Sequence, residues 1–454
     1  MIDRVPVLVV PLGPRTLETT MPARDKSPSE SPHESPSQSP SEVASEPLLP
    51  SDDHRALMAR LDLCHFQDEA PAMVFWHPRG WTLYQLLENS ARAQVAEGGY
   101  REVRTPQLMR RPVWERSGHW GAFHDGMFAF GHAADESALK PVSCPGHIQL
   151  VRKQAPSWRD LPIRIAEFGL VHRNEATGSL HGLFRLRQFT QDDGHIFCTE
   201  DQVAGEVARF CRELPAFYRR FGFTDVSVAL SLRPDNRLGD DAWWDRAERE
   251  LGDVAAGLGI PCEVQPGGGA IYGPKLEFLL RDRRGRPWQC GTIQLDFVMP
   301  QRFDVRYVDS LGERRHVVML HRALFGSIER FLGILLEHHG AALPAWLAPD
   351  QVAVVPVSAS QRGHAADIAA RLTAVGLRCR LDADGGTVSR RIALAHHDGV
   401  PFVVVIGDRE VNAGTLAVRA RDGQWSSPAG DAITELIRRA SVQNCRSEHT
   451  PCTA

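Results

Sequence analysis

The sequence predicts an α+β domain with an antiparallel sheet, followed by a small α/β domain. Residues 51–345 contain long β-type runs separated by amphipathic helix patterns, with few β–α–β repeats. This arrangement is typical of an antiparallel sheet flanked by helices. Residues 350–440 instead alternate strand, helix, strand, helix and strand, which is typical of a parallel sheet.

Hydrophobic spacing predicts the elements of the first part. Apolar residues recur at helical spacing in RALMARLDLCHF and YQLLENSARAQVAE, whereas FTDVSVALSL and VRYVDS have strand character. The segment AALPAWLAP, residues 341–349, is interpreted as the hinge. We therefore predict one domain at 51–345 and a second at 346–441.

The second domain and the two ends differ in composition. The predicted strands of the second domain are VAVVPVS, RCRLDAD and PFVVVIGD. The predicted helices between them run from Gly363 to Ala374 and near Ser389 to His397. Residues 1–50 are predicted to be disordered, because a segment as rich in Ser, Pro and Glu as KSPSESPHESPSQSPSE cannot bury a core. The polar tail at 442–454 is predicted to be disordered as well. The sequence leaves open whether Met1 or Met21 is the start.

Composition excludes several classes of protein. Hydrophobic residues make up 43% and charged residues 24%, which is ordinary for a soluble globular protein. A net charge of -4 gives no global basic field, so a nucleic-acid partner would need local basic patches. The nine cysteines lack the spacing of a disulfide scaffold, which favours a reducing compartment and predicts a cytoplasmic location. No apolar run reaches the roughly 18 residues of a membrane span.

Residues 168–197, FGLVHRNEATGSLHGLFRLRQFTQDDGHIF, carry the densest chemistry of the chain. Arginine and histidine side chains lie on either side of a Gly-containing turn, and Phe189 and two acids precede His195. Two strands joined by a loop would line these side chains along one wall of a pocket. Cationic side chains there could hold nucleotide phosphates, and Phe189 could stack on the base.

Several separated segments, in the correct order, resemble threonyl-tRNA synthetases. GGYREVRTPQLMRRPVWERSGHW resembles motif 1, and HRNE, GLFR and FTQDDGHIF resemble motif 2 and its flank. Three further parts of the chain also resemble segments of this family: KPVSCPGH, IYGPKLEF with WQCGTIQLDF, and LHRALFGSIERF. The resemblance runs from about Asp52 to about Arg439. It implies a class II synthetase catalytic domain at 51–345 and an anticodon-binding domain at 346–441.

The resemblance also implies one zinc ion per chain, although spacing alone gives almost no metal signal. In this family one Cys and two His at the matching positions bind zinc, which here means Cys144, His195 and His321. Such a site keeps an open position, which the family uses for the amino and hydroxyl groups of threonine. The matching threonine-binding residues are Gln191, Asp193, Tyr272 and Gln294.

The resemblance further assigns the nucleotide chemistry. Arg173 matches the motif 2 arginine between carboxylate and α-phosphate, Lys275 matches a lysine close by, and Arg330 matches the motif 3 arginine at the γ-phosphate. These three are the predicted catalytic residues, and Mg²⁺ is expected with ATP. The predicted ATP-binding residues are Arg173, Glu175, Arg185, Phe189, Gln289, Thr292 and Arg330.

Partners follow from the same resemblance. Glu410 and Arg419 match positions that read anticodon bases, although both could equally be exposed charges on an edge strand. A homodimer paired through motif 1 is expected, with threonine, ATP and tRNA(Thr) as ligands. Because residues 1–50 are Ser- and Pro-rich, we expect no editing domain in this chain.

Two alternatives stay open at this point. A paralogue could activate threonine for an acceptor other than tRNA, or serve as an inhibitor-resistant duplicate. A non-catalytic regulator or RNA-binding module could retain the fold, although intact motif arginines and metal-binding residues argue against that hypothesis.

Overall fold

The computed structural model describes residues 50–132, 135–383 and 385–441. Apart from Pro50, the segments predicted to be disordered, 1–50 and 442–454, lie outside the described residues. In the described part of the chain, no helix combines the length and apolar character needed to span a bilayer.

The first part of the chain combines helices with a large sheet. Its helices are α1 (His54–Arg60), α2 (Pro78–Glu97), α3 (Arg111–Ser117), α4 (His119–Phe123), α5 (Cys144–Gln154), α6 (Val203–Arg219), α7 (Asp241–Gly257), α8 (Val298–Arg302) and α9 (Ile328–His339). Its strands are β1 (Cys64–His65), β2 (Phe75–Trp76), β3 (Arg101–Glu102), β4 (Leu108–Arg110), β5 (Ala129–Phe130), β6 (Ser137–Leu139), β7 (Ile163–His172), β8 (Gln188–Cys198), β9 (Val226–Ser231), β10 (Cys262–Gln265), β11 (Lys275–Arg281), β12 (Pro287–Asp296), β13 (Arg306–Val308), β14 (Arg314–His316) and β15 (Val318–Ala323).

Eight of these strands form one sheet, in the order β10-β9-β11-β12-β15-β8-β7-β3. Neighbours are antiparallel except at the two edges, where β10 pairs with β9 and β3 pairs with β7 in parallel. The predicted antiparallel sheet flanked by helices is therefore confirmed. The predicted pair of strands around the 168–197 run corresponds to β7 and β8.

The two faces of this sheet have different roles. Ile196 and Cys198 of β8 and Leu320 of β15 pack into the main core, together with residues of α2, α6 and α9. Because side chains alternate along a strand, the residues between them face the opposite side. On that side Phe197 and Met319 pack with α5 and α8 at one end, and the rest of the face carries polar side chains.

The run RALMARLDLCHF is only partly helical, so the predicted helix was too long. Helix α1 ends at Arg60, and Asp62 has a φ of 54°, which a continuing right-handed helix cannot accommodate. The chain then turns into β1, which pairs with β2.

The second part of the chain contains a five-stranded sheet in the order β17-β16-β18-β19-β20. Its strands are β16 (Val352–Pro356), β17 (Cys379–Leu381), β18 (Phe402–Ile406), β19 (Thr415–Ala420) and β20 (Gly423–Pro428), and its helices are α10 (Arg362–Ala374), α11 (Val388–His397), α12 (Asp408–Ala413) and α13 (Ala429–Ala440). The predicted parallel unit corresponds to β16, β17 and β18. The hairpin of β19 and β20 was not predicted, and it extends the sheet with antiparallel pairing.

Candidate active site

The four central strands place one row of polar side chains on the same face of the sheet. His195 of β8 lies opposite His321 of β15. Gln294 of β12 lies opposite His321 on its other side, and Lys275 of β11 lies opposite Gln294. Directly opposed residues of antiparallel strands project to the same face, so residues far apart in sequence form a continuous row. By the alternation along each strand the same face also carries Phe189, Gln191, Asp193, Glu277, Thr292 and Asp296.

This face forms the floor of a cavity of about 670 Å³, a size that suits a small-molecule ligand. Every predicted ATP-binding residue contributes to its wall. The predicted residues that line it are Arg173, Glu175, Arg185, Phe189, Gln191, Lys275, Gln289, Thr292, Gln294 and Arg330.

At one end of the row, the structure brings together the three predicted metal ligands. Cys144 is the first residue of α5, and its side chain meets those of His195 and His321 with all ligand atoms within 4.8 Å of one another. All three residues are buried. Nε2 of His195 and Nδ1 of His321 are 3.0 Å apart, close to the roughly 3.3 Å that two nitrogens at zinc bond lengths would span in a tetrahedral site.

Two buried carboxylates orient these imidazoles. Glu167 accepts from Nε2 of His147 at 3.1 Å, which leaves Nδ1 of His147 to accept from Nδ1 of His195 at 2.7 Å. Asp296 accepts from Nε2 of His321 at 2.9 Å. These tautomers are assigned from the hydrogen-bond network. They leave a lone pair on each of the two nitrogens that face one another, an arrangement that a bound cation would stabilise.

The electrostatic surroundings fit metal ligands. Burial, together with nearby His147 and His321, holds the pKa of His195 well below its usual range, so the ring is neutral, as a metal ligand must be. Burial also raises the pKa of the Cys144 thiol well above its usual range. A thiolate would form there only next to a cation, so this thiol is not an activated nucleophile on its own.

The groups that support this cluster were not among the residues predicted from the sequence. Burial would raise the pKa of Glu167, but hydrogen bonds from His147, Lys140 and the Thr105 amide lower it to about 2. Nζ of Lys140 lies 2.7 Å from Oε1 of Glu167, and Lys140 is fully buried. Two signals were available: His147 follows Cys144 by three residues at the start of a helix, and Glu167 is an acid with apolar residues on both sides in the run IAEFGLV.

The predicted nucleotide residues follow the strands away from the metal cluster, although the Arg173 side chain lies near enough to Cys144 and Asp193 to interact with them electrostatically. Nη2 of Arg185 lies 2.8 Å from Oε2 of Glu175, and the Arg173 guanidinium lies 5.1 Å from the centre of the Phe189 ring. Burial lowers the pKa of Arg173 from its usual value. A cationic side chain with reduced hydration favours binding of an anion such as a phosphate.

Lys275 and Gln289 share the carboxylate of Glu277, a residue that was not predicted to be in the site. Oε1 of Glu277 is 2.5 Å from Nζ of Lys275 and 2.5 Å from Nε2 of Gln289. Its Oε2 accepts from the Ser231 hydroxyl at 2.7 Å. Glu277 therefore fixes both side chains against the cavity floor.

Arg330 lies in the first turn of α9, which begins after the cap residue Ser327. Its guanidinium lies 5.7 Å from the centre of the Trp288 ring, and its Nη1 lies 3.5 Å from the carbonyl of Phe184. Asp192 accepts from the amides of Phe325 and Gly326 at 3.0 and 2.9 Å and so holds the turn that leads into α9.

The predicted threonine-binding residues lie between the metal cluster and the nucleotide end. Oδ2 of Asp193 accepts from the Ser143 amide at 3.2 Å, and the Tyr272 ring lies 4.8 Å from that of His321. Nε2 of Gln294 donates to the carbonyl of Gly273 at 3.1 Å. Oε1 of Gln191 is buried and, within the described residues, has no hydrogen-bond partner, so it is available to a ligand.

A second cavity of about 650 Å³ adjoins the first and shares Arg173, Glu175 and Arg185 with it. His119, which was not predicted as a site residue, also lines this second cavity. Burial lowers the pKa of His119 to about 4, so the ring is neutral, and its Nδ1 lies 2.7 Å from the hydroxyl of Ser117.

The two predicted anticodon residues differ in their surroundings. Oε2 of Glu410 accepts from the Gly407 amide at 2.8 Å and so caps α12. Arg419 is exposed on β19, where it pairs with Gln424 of β20. Arg419 is therefore open to a partner, whereas the Glu410 carboxylate already has a structural role.

Comparison with known proteins gives the family. The tRNA synthetase class II core domain (G, H, P, S and T) matches residues 128–339, and the anticodon binding domain matches residues 351–436. A crystal structure described as the RNA binding domain of threonyl-tRNA synthetase from Cryptosporidium parvum aligns with a TM-score of 0.82 and 36% identity, covering 85% of this chain and 98% of that chain. The chain belongs to the threonyl-tRNA synthetase family. Both the predicted resemblance and the predicted fold class are thereby confirmed.

Other members of the threonyl-tRNA synthetase family agree. A putative threonyl-tRNA synthetase from Aeropyrum pernix aligns with a TM-score of 0.75 and 29% identity, covering 86% of this chain and 96% of that chain. Curated proteins named threonine–tRNA ligase, from Paraburkholderia phymatum and Methylobacillus flagellatus, are each 50% identical over 388 and 372 residues. These matches cover 85% and 82% of this chain but 61% and 59% of the relatives, so the chain spans about three fifths of their length.

Proposed function

We propose that this chain is a threonine–tRNA ligase, which activates threonine with ATP and transfers the threonyl group to tRNA(Thr). The observation that carries the proposal is the buried Cys144–His195–His321 cluster, which continues the row of polar side chains flooring the cationic cavity. The relatives are named threonine–tRNA ligases, which suggests threonine as the substrate. The cavity is lined by cationic side chains that suit ATP. The neighbouring domain, of the anticodon-binding family, favours tRNA as the acceptor over a different molecule.

Activation requires the threonine carboxylate to attack the α-phosphorus of ATP, with pyrophosphate as the leaving group. Negative charge grows on the phosphate, so fixed cations lower the barrier. We assign Arg173 to the carboxylate and α-phosphate, Lys275 to the same region, and Arg330 to the γ-phosphate. Mg²⁺ would accompany the triphosphate. Around the nucleotide we place Glu175, Arg185, Phe189, Gln289 and Thr292.

Selection of threonine requires a group that detects its hydroxyl, because valine is nearly isosteric. The donor set of one thiol and two imidazoles with oriented lone pairs fits a single Zn²⁺. When bound, zinc would supply a Lewis-acid position for the amino and hydroxyl groups of the substrate. Asp193 would accept a hydrogen bond from the threonine hydroxyl. The rest of the amino acid would be held by Gln191, Tyr272 and Gln294.

The remaining assignments belong to the same proposal. We propose that residues 51–345 form the catalytic domain and 346–441 the anticodon-binding domain, with Arg419 contacting an anticodon base. Glu410 would read an anticodon base only by giving up its bond to the Gly407 amide. We further propose a cytoplasmic homodimer. The apolar residues of α2, including Leu83 and Leu87, are buried within the protomer, so the partner would contact other faces of the motif 1 region.

Two assays test the proposal in sequence. Exchange between pyrophosphate and ATP is expected to be strong in the presence of threonine and weak in the presence of valine. Charging of purified tRNA(Thr) with threonine is expected next. Absence of exchange would indicate a non-catalytic protein that retains the fold. Exchange without charging would instead favour a paralogue with a different acceptor.

A further inference from the structure

A histidine before the matched core domain contacts a loop that lines the nucleotide cavity. His54, the first residue of α1, is fully buried. The family core begins at residue 128, so α1 lies before it. The loop between β7 and β8 carries Arg173, Glu175 and Arg185 and also Leu183 and Phe184, which line the cavity.

The hydrogen bonds of His54 require a single tautomer. Nδ1 lies 2.7 Å from Oε1 of Glu337, a carboxylate that can only accept while ionised, so Nδ1 carries the proton. Nε2 therefore accepts, and it receives the amide N–H of Leu183 at 3.2 Å. His54 thus links helix α9, through Glu337, to the backbone of the cavity loop.

Packing around the ring strengthens this link. The His54 ring lies 4.0 Å from the Phe184 ring, which in turn lies 4.4 Å from the Trp288 ring. Gly182 has a φ of 48°, and a Cβ there would lie 2.2 Å from Nε2 of His54. The loop therefore approaches the imidazole so closely that only glycine fits at residue 182.

The contacts continue to a predicted phosphate ligand. Nη1 of Arg330 lies 3.5 Å from the carbonyl of Phe184, and its guanidinium lies over Trp288. On the other side, Oε2 of Glu337 pairs with Arg286, whose guanidinium lies 5.1 Å from the centre of the Trp288 ring. His54 and Glu337 are thus connected, through Phe184 and Trp288, to Arg330 in the cavity wall.

We propose that His54 is a positioning residue for ATP, which holds Leu183 and Phe184 at the cavity wall through its Nε2 acceptor. The proposal rests on the ligase function proposed above. The His54 side chain contacts Glu337, Leu183 and Phe184, whereas Gln191 and Asp193 at the threonine end lie on β8 and are held by the sheet. Its loss therefore weakens ATP binding and leaves threonine binding unchanged.

Three substitutions separate the two hydrogen bonds of His54. A glutamine amide reaches the position of Nε2 and an asparagine amide reaches that of Nδ1. His54→Gln therefore retains the acceptor for Leu183, His54→Asn retains only the contact with Glu337, and His54→Ala retains neither. His339→Gln is the matched control, because His339 lies on α9, as Glu337 does, and donates from Nε2 to the carbonyl of Phe221 at 2.7 Å, away from the cavity.

The readouts are the dissociation constant of ATP from calorimetry and the KM values for ATP and threonine in pyrophosphate exchange. His54→Ala and His54→Asn are expected to raise the dissociation constant and KM for ATP about three- to tenfold, the effect of one hydrogen bond. His54→Gln is expected to restore most of the affinity. The KM for threonine is expected to stay within about twofold in all variants.

A purely structural role predicts a different pattern. His54→Ala and His339→Gln would then both lower Tm and the active fraction without changing either KM, and that result would overturn the proposal. Equal rises in both KM values, or failure of His54→Gln to restore ATP affinity, would overturn it too. Calorimetry needs no turnover. If the wild-type protein binds ATP but shows no exchange, the proposed ligase function is refuted, and the ATP affinities of the His54 variants still test the role of His54.

Discussion

Asp296→Asn is expected to weaken zinc binding although Asp296 is not itself a ligand. Oδ1 of Asp296 accepts from the amides of Val298 and Met299 at 2.7 and 2.9 Å. Those two donors would hold the asparagine oxygen in the same place, so the NH₂ group would face Nε2 of His321. Two donors would then oppose each other, and His321 would move its proton to Nδ1, the atom that faces the metal position.

The structure sets the size of this effect. Zinc binding to the variant requires either the unfavourable tautomer or an amide flip that leaves the two backbone N–H groups unsatisfied. Leaving buried donors unsatisfied costs about 1–3 kcal/mol. Zinc affinity is therefore expected to fall about 10- to 100-fold, in line with other residues that orient metal-bound histidines.

Competition with a chromophoric chelator measures that affinity directly, and metal analysis gives the stoichiometry. Asp309→Asn is the matched control, because Oδ1 of Asp309 also accepts two backbone amides, at 2.8 and 2.9 Å, but in an exposed turn. Wild-type zinc affinity in Asp296→Asn would refute the tautomer argument. Active wild-type enzyme without zinc would refute the metal site as a whole.

Three other predictions follow from the same geometry. Cys144→Ser and His195→Ala are expected to lose zinc and threonine-dependent exchange while retaining ATP binding by calorimetry, because the nucleotide end of the cavity is intact; unchanged exchange would contradict this. A homodimer of 50.4 kDa chains is expected to sediment at about 100 kDa, and an active species of monomer mass would exclude it. Burial raises the pKa of Glu329 to about 7, against an ordinary value of 4.5. Between these values the folded state retains a proton that the unfolded state has lost, so this group's contribution to stability is complete below about pH 4.5 and falls as pH rises through about 7. Urea midpoints of Glu329→Gln should lack that part of the slope, and an identical slope in the variant would show that Glu329 ionises normally.

Much of the fold follows from local pattern. The β7–β8 wall and the strand–helix order of the second part are visible as alternating and helical periodicities in the sequence. The helix predicted over RALMARLDLCHF was too long, because its apolar spacing continues past Asp62, where the backbone turns left-handed. The β19–β20 hairpin was missed because Gly423–Pro428 contains serine and glutamine rather than β-branched residues.

The site required information that local pattern does not contain. The three predicted metal ligands are separated by 195 − 144 = 51 and 321 − 195 = 126 residues, so no spacing rule brings them together. Strand register does so, since β8 and β15 place His195 opposite His321. Family resemblance could predict these three residues as ligands because relatives with the same fold share the same strand register.

Resemblance still does not specify which nitrogen of each histidine faces the metal position. His195 presents Nε2 and His321 presents Nδ1, and the two carboxylates behind them explain the difference. Asp296 approaches Nε2 of His321 from its own strand, β12, whereas Glu167 reaches His195 only through His147 of α5. One histidine therefore depends on a single oriented carboxylate and the other on a relay of two groups. Substitution of Asp296 should accordingly alter one ligand directly, whereas substitution of Glu167 should act only through the His147 tautomer.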